Sequence, residues 1–287
     1  MSGAAPPALR LLRVGPRGEE RPVVLLDDDV ARDCREVVAD FGPDTIGPDL
    51  VAALTAAAPG LPTIDLRGRR IGAPLCRVGT IWCVGLNYAD HAAETGRPPP
   101  AEPILFNKAA SALAGPGDDL RLRPGMSRLD WEVELGVVIG RAVDDVDERD
   151  AADAVLGYTL VNDLSERGWQ GERGGQFVKG KSFPGACPLG PWIATPATLP
   201  DPGGLRLRLE VNGRSMQDGN TASMIFGVGA LVSYISRFAR LEPGDLICTG
   251  TPAGVGQARR PPEFLGVGDR MEASIDGLGR QDFRIVA

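Results

Sequence analysis

The stretch that decides the fold reads Asp130-Trp-Glu-Val-Glu-Leu-Gly-Val-Val-Ile139. Acidic and apolar residues alternate over its first half, with carboxylates at 130, 132 and 134. Because successive side chains of a β-strand point to opposite faces, this spacing places the three carboxylates on one face, about 7 Å apart between Cα atoms. The second half is a continuous apolar run, which is typical of a strand inside a sheet. The stretch therefore predicts a central strand with an acidic face.

This acidic face has two interpretations, to which the spacing alone gives equal weight. One is a solvated face, since acids are depleted in strands but not excluded. The other is a metal site, because carboxylates this close repel one another unless a cation neutralises them or one is protonated. A predicted strand at 157–161 ends in Asn162-Asp163, which can offer a further oxygen ligand to the acidic face from the end of that strand. Oxygen ligands without nearby His or Cys fit Mg²⁺ or Mn²⁺ better than Zn²⁺.

Outside this stretch the sequence predicts a β-rich α+β protein. Apolar and β-branched runs bounded by Gly and Pro predict strands at 81–84, 104–107, 157–161, 192–195, 205–212, 246–249 and 270–275. Helix candidates are fewer: 50–58, 87–95, 147–154 and 225–238. Asn212-Gly213 predicts a hairpin turn. Gly227-Val-Gly229 lacks the third glycine of a dinucleotide-binding fingerprint, so a doubly wound fold is not indicated.

The first 76 residues differ from the rest of the chain in their pattern of predicted elements. They contain a predicted strand at 23–26, an acidic turn at 27–29 and the short helix at 50–58, but no constellation of catalytic residues. We therefore predict a small N-terminal domain (1–76) followed by a catalytic domain (77–287).

His91 is the only histidine in the chain. It lies on the predicted helix that follows strand 81–84, with Asn87 as the expected N-cap. Glu94 stands one helical turn later, where its carboxylate can orient the imidazole and raise its basicity, as a general base requires. The alternative is an exposed histidine beside an acid that complements the helix dipole, and the helix position by itself favours this alternative.

A Gly- and Thr-rich turn, Thr249-Gly-Thr-Pro-Ala-Gly-Val-Gly256, follows the predicted strand 246–249. Such turns direct backbone N–H groups at an anion, but a tight β-turn without a ligand explains the composition equally well. The turn lacks the Gly-Lys-[Ser/Thr] ending of a nucleotide phosphate loop. In Lys179-Gly-Lys181 one ammonium is a candidate cation near the metal; the alternative is that both lysines are solvated.

The chain has 287 residues, with 31 basic and 38 acidic side chains and a formal net charge of −7. This balance opposes sequence-independent binding to nucleic acid, and it requires a local positive centre for any anionic substrate. Five widely spaced cysteines without a CxxC pair indicate neither a disulfide framework nor a zinc knuckle. The sequence contains no apolar stretch long enough for a membrane span and no signal-peptide pattern, so we expect no membrane association and a cytoplasmic protein.

Taken together and in this order, these stretches resemble the fumarylacetoacetate hydrolase family from Arg77 to the C-terminus. The matching motifs are Cys83-Val-Gly-Leu-Asn-Tyr-Ala-Asp-His-Ala-Ala-Glu94, the acidic strand, Asn162-Asp163, Arg167, Gln170, Gly180-Lys-Ser-Phe183, Pro188-Leu-Gly-Pro191, Pro243-Gly-Asp245 and the turn 249–256. The N-terminal Leu11-Leu-Arg-Val-Gly-Pro16 looks like the members that hydrolyse 2,4-diketo-3-deoxy sugar acids, such as the L-fuconate and L-rhamnonate derivatives.

The resemblance implies a mixed β-sandwich roll, a divalent metal and a homodimer. It assigns three groups of residues: the metal ligands Glu132, Glu134 and Asp163; the catalytic residues His91, Glu94 and Lys181; and the substrate-binding residues Arg167, Gln170 and Thr251. One departure is Pro184, which stands where family members commonly carry Asp. Its fixed φ and missing carboxylate predict a reshaped loop after Lys181 and leave the substrate open.

Three functions follow from these features. The first is hydrolysis of the C3–C4 bond of a 2,4-dioxo acid (an acylpyruvate) to pyruvate and a carboxylic acid, with water deprotonated by His91 and the enolate stabilised by the metal and Lys181. The second keeps the site but decarboxylates oxaloacetate or isomerises an unsaturated 2-oxo dioic acid. The third is a metal-stabilised dimeric binding module, with Pro184 marking lost catalysis.

Overall fold

The computed structural model of the chain describes residues 8–26 and 30–287, so the acidic turn predicted at 27–29 lies outside the described residues. The strands are β1 (Arg10–Val14), β2 (Arg21–Leu25), β3 (Ala31–Asp33), β4 (Ile71–Gly72), β5 (Ile81–Gly85), β6 (Ile104–Lys108), β7 (Leu113–Ala114), β8 (Leu120–Arg121), β9 (Leu129–Asp130), β10 (Val133–Ile139), β11 (Val155–Asn162), β12 (Ser165–Glu166), β13 (Cys187–Pro188), β14 (Ile193–Ala194), β15 (Arg206–Val211), β16 (Arg214–Asn220), β17 (Leu246–Cys248), β18 (Arg270–Ile275) and β19 (Gly279–Val286).

Helices are short and lie between the strands. The α-helices are α1 (Leu50–Ala57), α2 (Ala89–Glu94), α3 (Arg167–Glu172), α4 (Val178–Lys181) and α5 (Val228–Ser236). The 3-10 helices are Ala58–Gly60, Ala110–Ala112, Glu148–Ala154, Pro202–Gly204, Thr221–Ser223 and Gly256–Ala258. None of the helices in residues 8–26 and 30–287 has both the length and the apolar character that crossing a bilayer would demand.

The larger sheet has ten strands, in the order β3-β2-β1-β14-β11-β10-β17-β5-β6 with β4 paired to β1. The predicted central strand is confirmed: β10 lies between β11 and β17, antiparallel to both, and all seven of its residues are buried. The solvated-face interpretation is wrong, because Glu134 is only 2% exposed within this strand.

The topology of this sheet brings four chain segments to one place. β17 runs parallel to β5 and antiparallel to β10, while β11 runs antiparallel to β10. The C-terminal ends of β5, β11 and β17 therefore meet the N-terminal end of β10. Helix α2, which carries His91, follows β5, and Asn162-Asp163 lies at the end of β11. The Gly-rich turn 249–256 follows β17, and the acidic residues Glu132 and Glu134 lie around the start of β10.

The second sheet has five strands in the order β16-β15-β18-β19-β8. The predicted hairpin is confirmed, since Asn212 and Gly213 connect β15 to β16 with φ of 52° and 74°. Alternate residues of β15 are buried, and they share one hydrophobic core with the larger sheet, in which Trp131 is among the largest fully buried side chains. The β-rich α+β class is thus confirmed.

The remaining predicted elements match the structure with one difference of type. All predicted strands are present to within two residues at each end, and three of the four helix candidates correspond to α1, α2 and α5. The helix predicted at 147–154 is a 3-10 helix, in which the Asp150 N–H donates to the Asp147 carbonyl three residues back. Four acidic residues within 147–154 disfavour an α-helical surface, because like charges at helical spacing repel.

The N-terminal strands extend the larger sheet. β1 pairs with β14, with Arg10 opposite Ala194, and β2 and β3 continue outward from β1. A small second cluster of buried side chains, including Leu12 and Val23, lies on these strands. The domain boundary after residue 76 stays a prediction.

Candidate metal centre and active site

The three predicted metal ligands lie together in the protein interior. Glu134 belongs to β10, Glu132 precedes that strand, and Asp163 follows β11 directly. One carboxylate oxygen from each lies within 4.8 Å of the others, and the residues are 6%, 2% and 0% exposed for Glu132, Glu134 and Asp163. The Asp163 N–H donates to the Glu132 carbonyl at 2.8 Å, which ties the two strand ends together.

Mutual repulsion of these carboxylates makes the cluster a fitting cation site. Burial raises the pKa of Glu134 well above its usual value, and the nearby charges of Asp163 and Glu132 raise it further. Burial also raises the pKa of Glu132, but the adjacent Lys181 and Arg167 outweigh this and hold it at about 2. A divalent cation would relieve the repulsion felt by Glu134, and buried carboxylate oxygens are the ligands that Mg²⁺ and Mn²⁺ prefer.

Two buried lysines bracket Asp163. Lys181, in α4, places Nζ 2.6 Å from Glu132 Oε2 and 2.7 Å from Asp163 Oδ2. Although burial lowers the pKa of Lys181, the neighbouring carboxylates raise it overall, so the ammonium stays charged. Lys108, at the end of β6, places its Nζ 2.5 Å from Asp163 Oδ1 and 3.2 Å from the Leu164 carbonyl. Sequence reasoning missed Lys108, because a lysine that ends a predicted strand is normally solvated.

Arg167 connects the metal ligands to a buried acid outside the cluster. Its guanidinium lies 2.7 Å from Glu132 Oε1 and 2.8 Å from Asp130 Oδ2, and its Nη1 donates to Gln170 Oε1 at 3.0 Å. The expectation that Asp130 shares one strand face with Glu132 and Glu134 is wrong, because Asp130 belongs to the separate strand β9. There its carboxylate accepts hydrogen bonds from the N–H groups of Trp131, Gly256 and Gln257 instead.

The predicted pair of His91 and Glu94, called the dyad below, is formed on α2. His91 Nδ1 lies 2.7 Å from Glu94 Oε1, and His91 is buried, which excludes the exposed alternative. The helix is capped differently from the prediction: Tyr88 is the N-cap residue. Asn87 is fully buried and donates to the carbonyls of Phe226 and Thr249, so it links three loops rather than capping the helix.

The Gly-rich turn directs its N–H groups at the protein's own carboxylates. Gly250 N–H donates to Glu134 Oε2, and Gly254 N–H donates to Glu94 Oε2, both at 2.9 Å. Gly254 has a φ of +107°, and a Cβ there would lie 2.1 Å from the Met216 carbonyl oxygen, so only glycine fits. The turn therefore orients Glu134, a candidate metal ligand, and Glu94, the hydrogen-bond partner of His91.

Thr251 is held by a residue of the second sheet. Its hydroxyl donates to the Val133 carbonyl at 2.9 Å and accepts from Gln217 Nε2 at 2.8 Å. Gln217, on β16, also accepts from the Val133 N–H and donates to the Pro252 carbonyl. Sequence reasoning missed this buried glutamine, because a polar residue after a hairpin carries no sign of which strand it will face.

These elements surround one cavity of about 690 Å³. Eight of the nine predicted site residues line it: His91, Glu94, Glu132, Glu134, Arg167, Gln170, Lys181 and Thr251. Asp163 lies fully buried behind them. The structure thus brings the nine residues together, while the individual roles given to them stay predictions.

Pro184, the residue that departs from the family pattern, lies in a compact turn. The Ala186 N–H donates to the Phe183 carbonyl at 2.9 Å, and Gly185 has a φ of +88°. Proline followed by a glycine with positive φ is the pattern of a type II turn. Pro184 itself is exposed, while Lys181 keeps its buried ion pairs.

The chain is similar to known proteins over almost its whole length. A protein from Burkholderia ambifaria (strain MC40-6), provisionally named a hydrolase, is 48% identical over 274 residues, covering 95% of this chain and 97% of its own. The structure of fumarylacetoacetate hydrolase from Exiguobacterium antarcticum matches with a TM-score of 0.84 and 32% identity, over 97% of this chain and 99% of that one.

A second solved structure contains a metal. Maleylpyruvate hydrolase from Sphingobium sp. SYK-6, in complex with manganese(II) ion and pyruvate, matches with a TM-score of 0.76 and 28% identity, over 96% of this chain and 98% of that one. The family model for the C-terminal region of fumarylacetoacetate (FAA) hydrolase matches residues 80–286. With this match over most of its length and with the shared architecture, the chain belongs to the fumarylacetoacetate hydrolase family.

Proposed function

We propose that this chain is a divalent-metal-dependent hydrolase that cleaves the C3–C4 bond of a 2,4-dioxo acid to pyruvate and a carboxylic acid. The observation that carries the proposal is the convergence of the Glu132–Glu134–Asp163 cluster and the His91–Glu94 pair on one cavity. The similarity to a maleylpyruvate hydrolase bound to manganese and pyruvate supports the same reaction class.

The acidic cluster would hold Mg²⁺ or Mn²⁺. When bound, the ion would supply a Lewis acid for the 2-oxo and carboxylate oxygens of the substrate. Lys181 and Arg167 both contact Glu132 and lower its pKa, so this candidate ligand is negatively charged when a cation binds. Lys108 holds the far oxygen of Asp163 and fixes the direction of that carboxylate.

His91 would act as the general base. Its Nδ1 is hydrogen-bonded to Glu94, so Nε2 is the nitrogen that can accept a proton from water. Glu94 is itself fixed by the Gly254 N–H, which orients the imidazole. The hydroxide adds to the C4 carbonyl, the C3–C4 bond breaks, and its electron pair passes to the pyruvate enolate, which takes up a proton to form pyruvate. The Lys181 ammonium would balance the enolate charge.

Assays with metal-stripped protein test this proposal. We expect pyruvate release from 2,4-dioxo acids, measured with a lactate dehydrogenase couple, only after Mg²⁺ or Mn²⁺ is restored. His91→Ala should lower kcat by about 10²-fold or more while keeping the calorimetric affinity for Mn²⁺, because the histidine is the base and not a ligand. Full activity of the metal-free protein would contradict the proposal.

Two other reactions and a non-enzymatic role compete for the same site. Pyruvate release from oxaloacetate, without cleavage of a 2,4-dioxo acid, would indicate a decarboxylase. Loss of dienol absorbance without any cleavage product would indicate an isomerase. Metal binding without turnover of any of these substrates would indicate a binding module.

A homodimer, a cytoplasmic location and the lack of a nucleic-acid partner remain part of the proposal. The net charge of −7 supports the last of these, and a Phe238 side chain that is 68% exposed on the surface is compatible with a subunit contact. Sedimentation equilibrium should give twice the 30.2 kDa chain mass.

A further inference from the structure

We propose that Asp130 is a positioning residue that couples two walls of the cavity, so that Arg167 is held against Glu132 and the chain segment 255–262 is held beside it. The inference rests on the proposed function for the reaction, and it deepens that function by assigning a role to an acid that belongs neither to the metal-ligand cluster nor to the dyad. Asp130 is fully buried behind the residues that line the cavity, so it acts through them rather than on the substrate.

The Asp130 carboxylate is shared between the two walls. Its Oδ1 accepts hydrogen bonds from the N–H groups of Trp131 at 2.8 Å and Gly256 at 2.7 Å. Its Oδ2 accepts from the Gln257 N–H at 3.0 Å and from Arg167 Nε at 2.8 Å, and Arg167 Nη2 also lies 2.8 Å away. Because both oxygens accept hydrogen bonds, the position requires an ionised carboxylate, which is a pure acceptor.

The first wall is formed by α3. Arg167 is the first residue of this helix, Gln170 follows one turn later, and both side chains line the cavity. Arg167 Nη1 donates to Gln170 Oε1 at 3.0 Å, and Arg167 Nη2 lies 2.7 Å from Glu132 Oε1. Asp130 binds the Nε and Nη2 edge of the guanidinium, which leaves Nη1 directed at Gln170. The planar group thus spans three side chains, which a single ammonium could not do.

The second wall is the segment 255–262. Val255 and residues 257–262 line the cavity, and Gly256 joins them behind the lining. Gly256 approaches Asp130 so closely that a Cβ on it would lie 2.7 Å from Asp130 Oδ1 and 2.1 Å from the Glu263 carbonyl oxygen. Only glycine allows this approach. The segment is therefore attached to Asp130 by its own backbone, independently of the side chains that it presents to the cavity.

The backbone around Asp130 is fixed on both sides. Strand β9, which ends at Asp130, pairs antiparallel with β12, the strand that leads directly into α3. The Arg167 N–H donates to the Arg128 carbonyl at 3.0 Å, and the Leu265 N–H donates to the Leu129 carbonyl at 2.7 Å. Both walls are thus connected to the same short strand, so a change in the Asp130 side chain reaches both of them.

Asparagine at position 130 separates the two halves of this arrangement. Its amide carries one acceptor oxygen and one donor NH₂ group in the place of the two carboxylate oxygens. With the oxygen at the Oδ1 position, the bonds from Trp131 and Gly256 are kept, while the NH₂ group faces the donors of Arg167 and Gln257. In the flipped orientation the losses are reversed. The substitution therefore keeps the shape of the side chain, removes its charge and leaves one wall without its acceptor.

Steady-state kinetics with a 2,4-dioxo acid and Mn²⁺ measure the effect. For Asp130→Asn we expect kcat/KM to fall about ten- to a hundredfold, mainly through KM, because small displacements of substrate-positioning groups are costly. A folding defect alone would lower the active fraction, and with it the apparent kcat, without changing KM. Asp118→Asn is the matched control, since Asp118 also pairs with an arginine, Arg70, and accepts a backbone N–H, but lies outside the cavity. It should lower Tm and keep KM.

A double-mutant cycle with Arg167→Lys tests whether Asp130 acts through Arg167. A lysine keeps the charge but cannot bind Asp130, Glu132 and Gln170 together. We therefore expect Asp130→Asn to lower kcat/KM less in the Arg167→Lys background than in the parent, because the two substitutions remove the same contact. If the two effects multiply, the residues act separately and the proposal is overturned. An unchanged KM in Asp130→Asn would overturn it as well.

Hydrogen exchange followed by mass spectrometry separates failure of this inference from failure of the proposed function, because it needs neither substrate nor metal. In the metal-free protein, Asp130→Asn should speed exchange in the peptides covering 166–173 and 255–263 together, while Asp118→Asn should speed neither. If no 2,4-dioxo acid is cleaved but both peptides exchange faster, the coupling stands and the proposed reaction fails. Unchanged exchange in either peptide overturns the coupling.

A second variant covers the case in which Asp130→Asn does not fold. Gly256→Ala keeps the Asp130 charge but pushes the segment 255–262 away from it, because the added Cβ has no room beside Oδ1. If Asp130 couples the two walls, exchange in the peptide 166–173 should also rise, although the substitution lies in the other wall. Faster exchange confined to 255–263 would overturn the coupling.

Discussion

The Nζ atom of Lys108 lies 2.5 Å from Oδ1 of Asp163, and both side chains are completely buried. The other oxygen of the same carboxylate contacts Lys181, so both faces of Asp163 are occupied by ammonium groups. Two positive charges beside three carboxylates lower the cost of keeping these acids ionised in the interior. The pair also holds Asp163 in one orientation, with the oxygen near Lys181 facing Glu132.

Replacing Lys108 by methionine should destabilise the metal-free protein. The substitution keeps the length of the side chain but leaves a buried carboxylate oxygen without its cation, so we expect a loss of about 3 kcal/mol in the free energy of unfolding. Urea denaturation followed by circular dichroism measures it. Lys179→Met is the matched control, because Lys179 is exposed and its Nζ donates to the backbone carbonyl of Arg173. Equal, small losses in both variants would show that the Lys108 pair contributes little.

Replacing Glu134 by glutamine should separate stability from metal binding. The neighbouring charges of Asp163 and Glu132 destabilise an ionised Glu134, and a glutamine can still accept the Gly250 N–H. We therefore expect the metal-free variant to be as stable as the parent or more stable, by up to about 1 kcal/mol. The rise in Tm caused by Mn²⁺ should be lost, because a ligand that binds only the folded state stabilises it.

Thermal melts with and without Mn²⁺ provide the measurement, with the exposed Glu36→Gln as control. The metal-site assignment would be refuted if Glu134→Gln kept the full Mn²⁺-dependent increase in Tm.

Restoring the family's acid at position 184 should have little effect on catalysis. Pro184 is exposed in a turn, while Lys181 retains both carboxylate contacts. For Pro184→Asp we expect kcat/KM within about threefold of the parent and a stability loss of up to about 1 kcal/mol, because proline restricts the unfolded chain. Steady-state kinetics and urea denaturation check both values. A tenfold or larger gain in activity would show instead that the proline impairs the site.

The ion-pair cluster around Arg70 should give the protein a pH-dependent share of its stability. Burial raises the pKa of Asp118 and of Glu20, but hydrogen bonds from Arg70 outweigh it and lower both values. Because the folded-state pKa values lie below the unfolded ones, this stabilisation is fully present above a pH of about 5 and is lost as the pH falls further. Arg70→Met should thus lower Tm at pH 7, and the difference from the parent should shrink at pH 3.

Differential scanning calorimetry at the two pH values tests this dependence. Arg67→Met serves as the control, since Arg67 pairs with Asp65 on the surface, where ion pairs contribute little. A difference between parent and Arg70→Met that stayed constant down to pH 3 would contradict the assignment.

Local pattern was sufficient for much of the fold. The alternation and apolar run of 130–139 predicted the central strand β10, and Asn212-Gly213 predicted the β15–β16 hairpin, because side-chain period and turn conformation depend on a few neighbouring residues. Strand β19, in which Gln281, Phe283 and Ile285 are buried in alternation, carried the same signal and was not predicted.

Tertiary structure decided what these elements do for one another. The amino-acid sequence by itself determined which residue types could bind a cation or a proton: Glu132, Glu134, Asp163 and the pair His91 and Glu94. Only the tertiary structure shows that Lys108 contacts Asp163, that Gln217 contacts Val133, and that Asp130 pairs with Arg167 instead of joining the acidic cluster. These contacts join residues that are 37 to 84 positions apart. Sheet order sets such contacts, and sheet order depends on packing over the whole core rather than on local spacing.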